Sequence, residues 1–383
     1  MLGLTCIFAL ILGLYPFVLY PFFAALVGRL LYKPIHRDKT YLPRVTIITA
    51  AYNEARHIEA TIRDKLAQDY PPNLIQMIVV SDESSDGTDE IVRSIHAEDE
   101  RVTLLRQDPR QGKTAALNLA VPYAMGEIIV FADANSLYQP HAIRALVSNF
   151  ADPQVGYVSG KMQYVNPDGS VIGDGCSAYM RYENWLRDTE TRIGSIVGVD
   201  GGIDAVRAEC YQPMRPDQLP DFVLPLCVVE KRLRVIYEPE AILREDALNT
   251  QASEYRMRVR VALRAFWALW DKRNLLNPIR YGIFSWQLAS HKWLRYLAFI
   301  PLTVAALIDW ALVGSGPVYQ LMALGQLVFL ALWIMAARGK REISGVPLPA
   351  LCQYFALLNL ASAVAFWEFI NGRKRTLWQP RQG

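Results

Sequence analysis

The chain has 383 residues, 52% of them hydrophobic and 20% charged, with a formal net charge of +3. Its length exceeds one average domain, its apolar content is odd for a single soluble domain, and its small positive charge argues against a nucleic-acid binder. The cysteines Cys6, Cys176, Cys210, Cys227 and Cys352 include no C-x-x-C pair and two lie in apolar runs, which argues against a disulfide framework or a zinc site.

From Leu2 to Tyr32 the only charge is Arg29. About 20 apolar residues cross a bilayer core, so residues 1–32 are predicted to be an anchor kinked by Pro16 and Pro21. A cleaved signal peptide would need a basic start and a small-residue cleavage site, and neither is present. Arg29, Lys33, Arg37 and Lys39 follow the anchor and no basic residue precedes it. The positive-inside bias therefore places the N-terminus outside and the next domain in the cytoplasm.

A domain is expected over 43–272. The runs Val45–Ala51, Met77–Val80, Val102–Leu105 and Ile128–Ala132 read as buried strands. Between them Arg56–Asp69, Thr88–His96 and Thr114–Ala124 carry apolar residues at helical spacing. Alternating strands and helices predict an α/β domain around a mostly parallel sheet. Ligands then bind beyond the carboxyl ends of the strands.

Residues 273–296 mix apolar and basic side chains with Trp286 and Trp293, the pattern of a helix lying in the membrane interface. Transmembrane helices are expected over 297–371, in the runs Leu294–Val313, Val318–Ala337 and Pro349–Ile370, followed by a basic tail over 372–383. The clusters Arg338–Arg341 and Arg373–Arg375 both read as cytoplasmic, which conflicts with a full span between them. Either the last run re-enters or one cluster departs from the rule.

Each strand end is followed by a polar cluster: Tyr52-Asn53-Glu54, then Asp82 to Thr88, then Gln111-Gly112-Lys113-Thr114, then Asp133-Ala134-Asn135-Ser136. Singly these suit turns and helix caps, Asp86 ahead of Thr88 and Asn135-Ser136 ahead of a helix near Pro140. Together they converge on one sheet edge. A nucleotide sugar would use such a set: a carboxylate for ribose and base, a cation for the diphosphate, and a carboxylate to deprotonate the acceptor. Asp82 suits the first role and Lys113, at a helix start, helps neutralise phosphate. Asp133 beside Asn135 offers the hard oxygens that Mg²⁺ or Mn²⁺ prefers.

These motifs, with Gly201-Gly202-Ile203-Asp204-Ala205-Val206-Arg207 and Asp221-Phe222-Val223-Leu224-Pro225-Leu226, make residues 43–270 resemble glycosyltransferase family two. The resemblance implies the inverting GT-A fold, a Rossmann-like mixed sheet. With the flanking apolar runs it looks like the membrane-integrated branch of hyaluronan, chitin and cellulose synthases. It implies donor binding by Tyr52, Asn53, Glu54, Asp82, Lys113, Asp133 and Arg260, and a metal at Asp133 and Asn135. Asp221 is implied as catalytic base, with Gly201, Gly202 and Asp204 shaping the acceptor site. Two departures stand out. Asn135 replaces the second acid of D-x-D, and Met257 and Val261 stand where a Q-x-x-R-W motif around Arg260 has Gln and Trp.

The expected function is transfer of a sugar, from a UDP-sugar, to a lipid-linked or glycan acceptor at the cell (inner) membrane. The partners are that donor, that acceptor and the bilayer, and no nucleic acid. A competing expectation is a processive synthase that extrudes its polymer, for which four spans would require a homo-oligomer or a membrane partner subunit. The other is a non-catalytic subunit that binds nucleotide sugars. Tyr182, Glu183 and Trp185 suit either an acceptor groove or ordinary packing, and His96, His141 and His291 receive no role.

Overall fold

The structure is a computed structural model, and it describes residues 1–165, 175–246, 251–338 and 348–374. The chain divides into two compact units, one of residues 31–171, 187–247 and 374–383, the other of residues 1–30, 172–186 and 248–373. Arg341, Arg375 and most of the basic tail lie outside the described residues.

The first unit holds one sheet. Its strands are β1 (Val45–Ala51), β2 (Ile75–Asp82), β3 (Val102–Gln107), β4 (Ile128–Asp133), β5 (Leu137–Tyr138), β6 (Val155–Val165), β7 (Ile203–Arg207) and β8 (Arg234–Asp246). They are ordered β3-β2-β1-β4-β7-β6-β8-β5. The β3-β2-β1-β4 half is parallel, as the alternating helices dictate. β7 then runs antiparallel between β4 and β6, and β8 returns parallel to β6. The sheet is therefore mixed and Rossmann-like.

Strands β1 and β2 are buried along their whole length, which is why they read as continuous apolar runs. Val45, Ile47, Met77, Val79, Ile128 and Val130 join one core with Ile58 and Ile62 of the helix Ile58–Leu66. The β4–β5 turn corrects one expectation. Asn135 and Ser136 cap no helix, because Ser136 Oγ turns back to the Asp133 carbonyl at 2.9 Å. The next helix, Ala142–Ser148, begins at His141 without a side-chain cap.

The second unit is helical. Pro317–Ala337 and Leu348–Ile370 are long and apolar enough to cross a membrane, with hydropathy 1.8 and 1.5. Leu348–Ile370 is an unbroken helix. Two bent pairs raise the number to four if each is one span: Leu2–Leu14 with Leu19–Leu30 at 56°, and Ile283–Leu297 with Phe299–Ser315 at 54°. Leu4, Phe8, Phe22, Leu307, Leu321 and Trp367 stand exposed on these helices, the apolar surface that a bilayer covers. Small residues let helices approach: a Cβ on Gly13 would lie 2.7 Å from Leu302 Cγ. The expected interface helix over 273–296 is broken instead. Asn277 caps a short turn by accepting from the Ile279 and Arg280 amides, and Gly282, at φ +56°, ends it. Residues 283–297 then continue through a π-helical turn, Ala289–Leu294.

Candidate active site

The carboxyl ends of β1, β2 and β4 and the start of the helix Lys113–Ala120 meet at the sheet edge. Asp82, the last residue of β2, is 2% exposed. Its carboxylate accepts from the backbone N–H groups of Gln111 and Gly112, each at 2.9 Å, and from Gln107 Nε2. Arg110 Nε lies 3.6 Å away, and the Arg110 guanidinium stacks 3.4 Å over the Tyr52 ring. Tyr52, Arg110 and Asp82 thus form one wall, with an aromatic face and a fixed carboxylate.

Asn53 and Glu54 tie loops together. Asn53, at φ +54°, accepts from the Ser85 amide at 2.9 Å, and the Glu54 amide donates to Thr88 Oγ1 at 2.9 Å. Asp86 accepts from the Ala55 and Thr88 amides, so it fastens the β1 loop as well as the next helix. The N-cap of that helix is Gly87, at φ +97°.

Lys113 is the hub of the site. Its Nζ donates to Asp133 Oδ1 at 2.7 Å and stands 3.6 Å from Asp221 Oδ1. Burial pushes its pKa down, but Asp133, Asp221 and Asp204 outweigh that and hold it above the ordinary lysine value. Asp221 follows Pro220 in the first turn of the helix Pro220–Glu230, where the helix dipole favours an acid. It is not the N-cap, which is Leu219.

The Gly201-Gly202 turn passes against both acids. A Cβ on Gly201 would overlap the Asp221 carboxylate, and one on Gly202, at φ +88°, would meet Asp133 Oδ2 at 2.9 Å. Only glycine allows that approach. The turn is secured by Tyr138, whose hydroxyl donates to the Gly202 carbonyl at 2.6 Å, and by the buried Arg187–Asp200 ion pair.

Three further predicted residues take the following places. Asp204 is fully buried in β7. Burial first, and the Asp221 charge second, raise its pKa well above the ordinary aspartate value. Asn135 donates through Nδ2 to Glu245 Oε1 at 3.4 Å. Arg260 lies on the helix Gln251–Asp271 of the helical unit.

The sequence reading missed Lys65, Gln107, Arg110 and Tyr138. Lys65 is fully buried, bonding Asp64 at 2.8 Å and the Ser136 carbonyl at 2.6 Å beside the Tyr138 ring at 3.8 Å. Burial lowers its pKa to about 8 despite Asp64. A signal existed: Ile58, Thr61, Ile62 and Lys65 form the buried stripe of their helix, and a lysine on such a stripe needs partners.

Asp133 and the Asn135 amide supply oxygens of the kind Mg²⁺ and Mn²⁺ take. Two carboxylates against one ammonium also leave the hub net negative, so a diphosphate would approach it only with added positive charge. Among the described residues no three His, Cys, Asp or Glu side chains cluster as a metal site. The residues fit part of a coordination shell.

Comparison with known proteins agrees with the fold. A "Beta-monoglucosyldiacylglycerol synthase" of Trichormus variabilis is 28% identical over 188 residues, 48% of this chain and 40% of that protein. An "N-acetylglucosaminyltransferase" of Azorhizobium caulinodans is 25% identical over 313 residues, 76% of this chain and 75% of that one. The chain spans less than half the length of several curated relatives it matches. Among solved structures, a mannosyltransferase of Pyrobaculum calidifontis in complex with GDP-Man and Mn²⁺ superposes with a TM-score of 0.74 at 24% identity, covering 97% of this chain and 100% of that one. Residues 46–195 match the profile of glycosyl transferase family 2, and the mixed sheet they help build is of the GT-A type.

Proposed function

We propose that the protein is a membrane-bound inverting glycosyltransferase that moves a sugar from a nucleoside-diphosphate sugar, with UDP the expected nucleotide, to a lipid-linked or glycan acceptor. The observation that carries this reading is the Lys113 hub, which holds Asp133 and Asp221 beside the Gly201-Gly202 turn. The match to family 2 and its glycolipid- and polysaccharide-forming relatives supports it.

In this reading the Tyr52–Arg110–Asp82 wall takes the nucleoside and Lys113 offers its ammonium to the diphosphate. Asp133 and Asn135 would hold Mg²⁺ or Mn²⁺, which when bound offsets diphosphate charge. Asp221 takes the proton of the acceptor hydroxyl as its oxygen bonds to the anomeric carbon. The bond from that carbon to the phosphate oxygen breaks, and its electron pair leaves with the nucleoside diphosphate. Backside displacement inverts the anomeric centre. Gly201 and Gly202 leave room for the acceptor. Met257 and Val261 break the acceptor-gripping motif, which favours one or a few sugars per encounter over a long polymer.

In this reading the positive-inside pattern argues for a cytoplasmic sheet unit, and the helices long and apolar enough to cross a membrane support its anchoring. The test is a panel of radiolabelled UDP- and GDP-sugars offered with membrane lipid extract and oligosaccharides to the detergent-solubilised chain. Labelled glycolipid or glycan from at least one donor is expected. Neither transfer nor donor hydrolysis from any would overturn the reading.

A further inference from the structure

The helical unit contains a cavity of ≈80 Å³, several times the space that one water centre requires. Its charged walls are Arg258, Lys292 and Arg295 against one carboxylate, Glu183, with His291 alongside. Arg295 donates to Glu183 Oε1 at 2.7 Å and to the Tyr179 hydroxyl at 3.1 Å, and its guanidinium lies 5.3 Å from the Phe17 ring centre. Glu183 also faces His291 Nε2 at 3.5 Å. Arg258 pairs with Glu254 at 2.8 Å and lies 5.5 Å from the Tyr354 ring centre. Glu183, Arg295 and Arg258 are therefore fixed in direction by aromatic and ionic partners.

The remaining wall is apolar. Val261 and Ala262 come from the helix Gln251–Asp271. Leu358 and Ala361 come from Leu348–Ile370, which is long and apolar enough to cross a membrane. Three cations line the cavity against Glu183, with Glu254 behind Arg258, so basic groups outnumber these two carboxylates, and an anion in the cavity would complement that charge among apolar helices. Guanidinium groups suit phosphate because their N–H donors match its oxygens. An anion carried on hydrocarbon satisfies both walls at once.

We infer that this cavity holds the phosphate group of a lipid, gripped by Arg258, Lys292 and Arg295, with its hydrocarbon along the Leu358 side. The inference stands on the cavity and not on the transfer reaction. Binding is read without a sugar donor, so its failure and that of the glycosyltransferase reading are separate results.

The experiment is native mass spectrometry of the full detergent-solubilised chain titrated with hexadecyl phosphate, hexadecanol and inorganic phosphate. Hexadecyl phosphate should bind at least about tenfold more tightly than either fragment, the worth of one charge-assisted contact. Lys292→Gln and Arg258→Gln should each weaken it by about tenfold or more, and Arg258→Lys should restore part of the loss. Arg295 is left intact because removing it would strand the buried Glu183. Competition with phosphatidylglycerol identifies the source. Equal displacement assigns the cavity to a bilayer phospholipid, and no displacement assigns it to a single-chain phosphomonoester of the acceptor type. Hexadecanol binding as well as hexadecyl phosphate, or glutamine variants that bind like wild type, would overturn the inference. If the variants fail to fold, the wild-type contrast between phosphate and alcohol still decides.

Discussion

The two units bury charge in opposite ways. At the sheet edge Lys113 is set between Asp133 and Asp221, and acid outnumbers base. In the helical unit Arg258, Lys292 and Arg295 line a cavity with Glu183, with Glu254 behind Arg258, and base outnumbers these acids. Each buried ion has a named partner, as the cost of desolvation demands, but the imbalance differs in sign. An acidic edge suits a proton, a hydroxyl or a metal ion, and admits a diphosphate only with added positive charge. A basic cavity lined by apolar helices suits a phosphate on hydrocarbon. The sign of the residual charge thus assigns different ligands to two sites in one chain.

Removing the metal should separate the sites most sharply. With excess chelator, sugar transfer should fall by at least about a hundredfold, because a catalytic cation contributes several kcal/mol. Binding of hexadecyl phosphate, followed in the same preparation, should not change. Full transfer in chelator would remove the metal from the acidic edge.

A smaller effect sharpens the comparison within the sheet unit alone. Lys65→Met strips the buried cation from Asp64 and the Ser136 carbonyl. It should cost about 3 kcal/mol of stability, the low end for breaking a buried pair since Asp64 is partly exposed. Thermal unfolding reads this directly, and an unchanged midpoint would show that Lys65 bears no such load.

Asp204→Asn should have an effect whose size and sign depend on pH. The folded chain keeps the Asp204 proton above the ordinary carboxylate pKa while the unfolded chain loses it. Stability therefore falls as pH rises from about 4 towards the raised folded pKa, by up to about 1.4 kcal/mol per pH unit. Asparagine mimics the neutral acid, so the variant should lose that slope and gain relative to wild type at higher pH. Unfolding curves at pH 5 and pH 8 that shift in parallel would contradict this.

The parallel half of the fold was legible because its strands are buried on both faces and their ends are polar. β1 has the expected bounds, and β2, β3 and β4 extend the expected runs by four, two and one residues. The antiparallel half was not legible. The Ile203–Arg207 strand pairs with partners far away in sequence, Tyr157–Ser159 and Ile128–Ala132, and no local pattern records such pairings. Residues 273–296 misled for a related reason: helical periodicity continues through Gly282, whose positive φ breaks the helix. Within the candidate site, strand-end residues such as Asp82 and Asp133 announce themselves by position. The supports do not, since Tyr138 and Lys65 act through contacts across the fold. Asp217 illustrates this. In sequence it is a plain loop acid, yet it pairs with Arg215 at 3.2 Å and Lys374 at 2.6 Å.

The division of labour at the acidic edge is the central claim, and one paired measurement tests it. Binding of the preferred nucleotide sugar by calorimetry and sugar transfer by radiolabel are followed together for Asp221→Asn and Asp133→Asn in Mn²⁺. Asp221→Asn should bind donor within about a factor of three of wild type while transfer falls by about two to four orders of magnitude. Asp133→Asn should lose donor binding itself. If Asp221→Asn loses affinity as much as rate, or Asp133→Asn binds donor like wild type, the roles assigned around Lys113 are wrong.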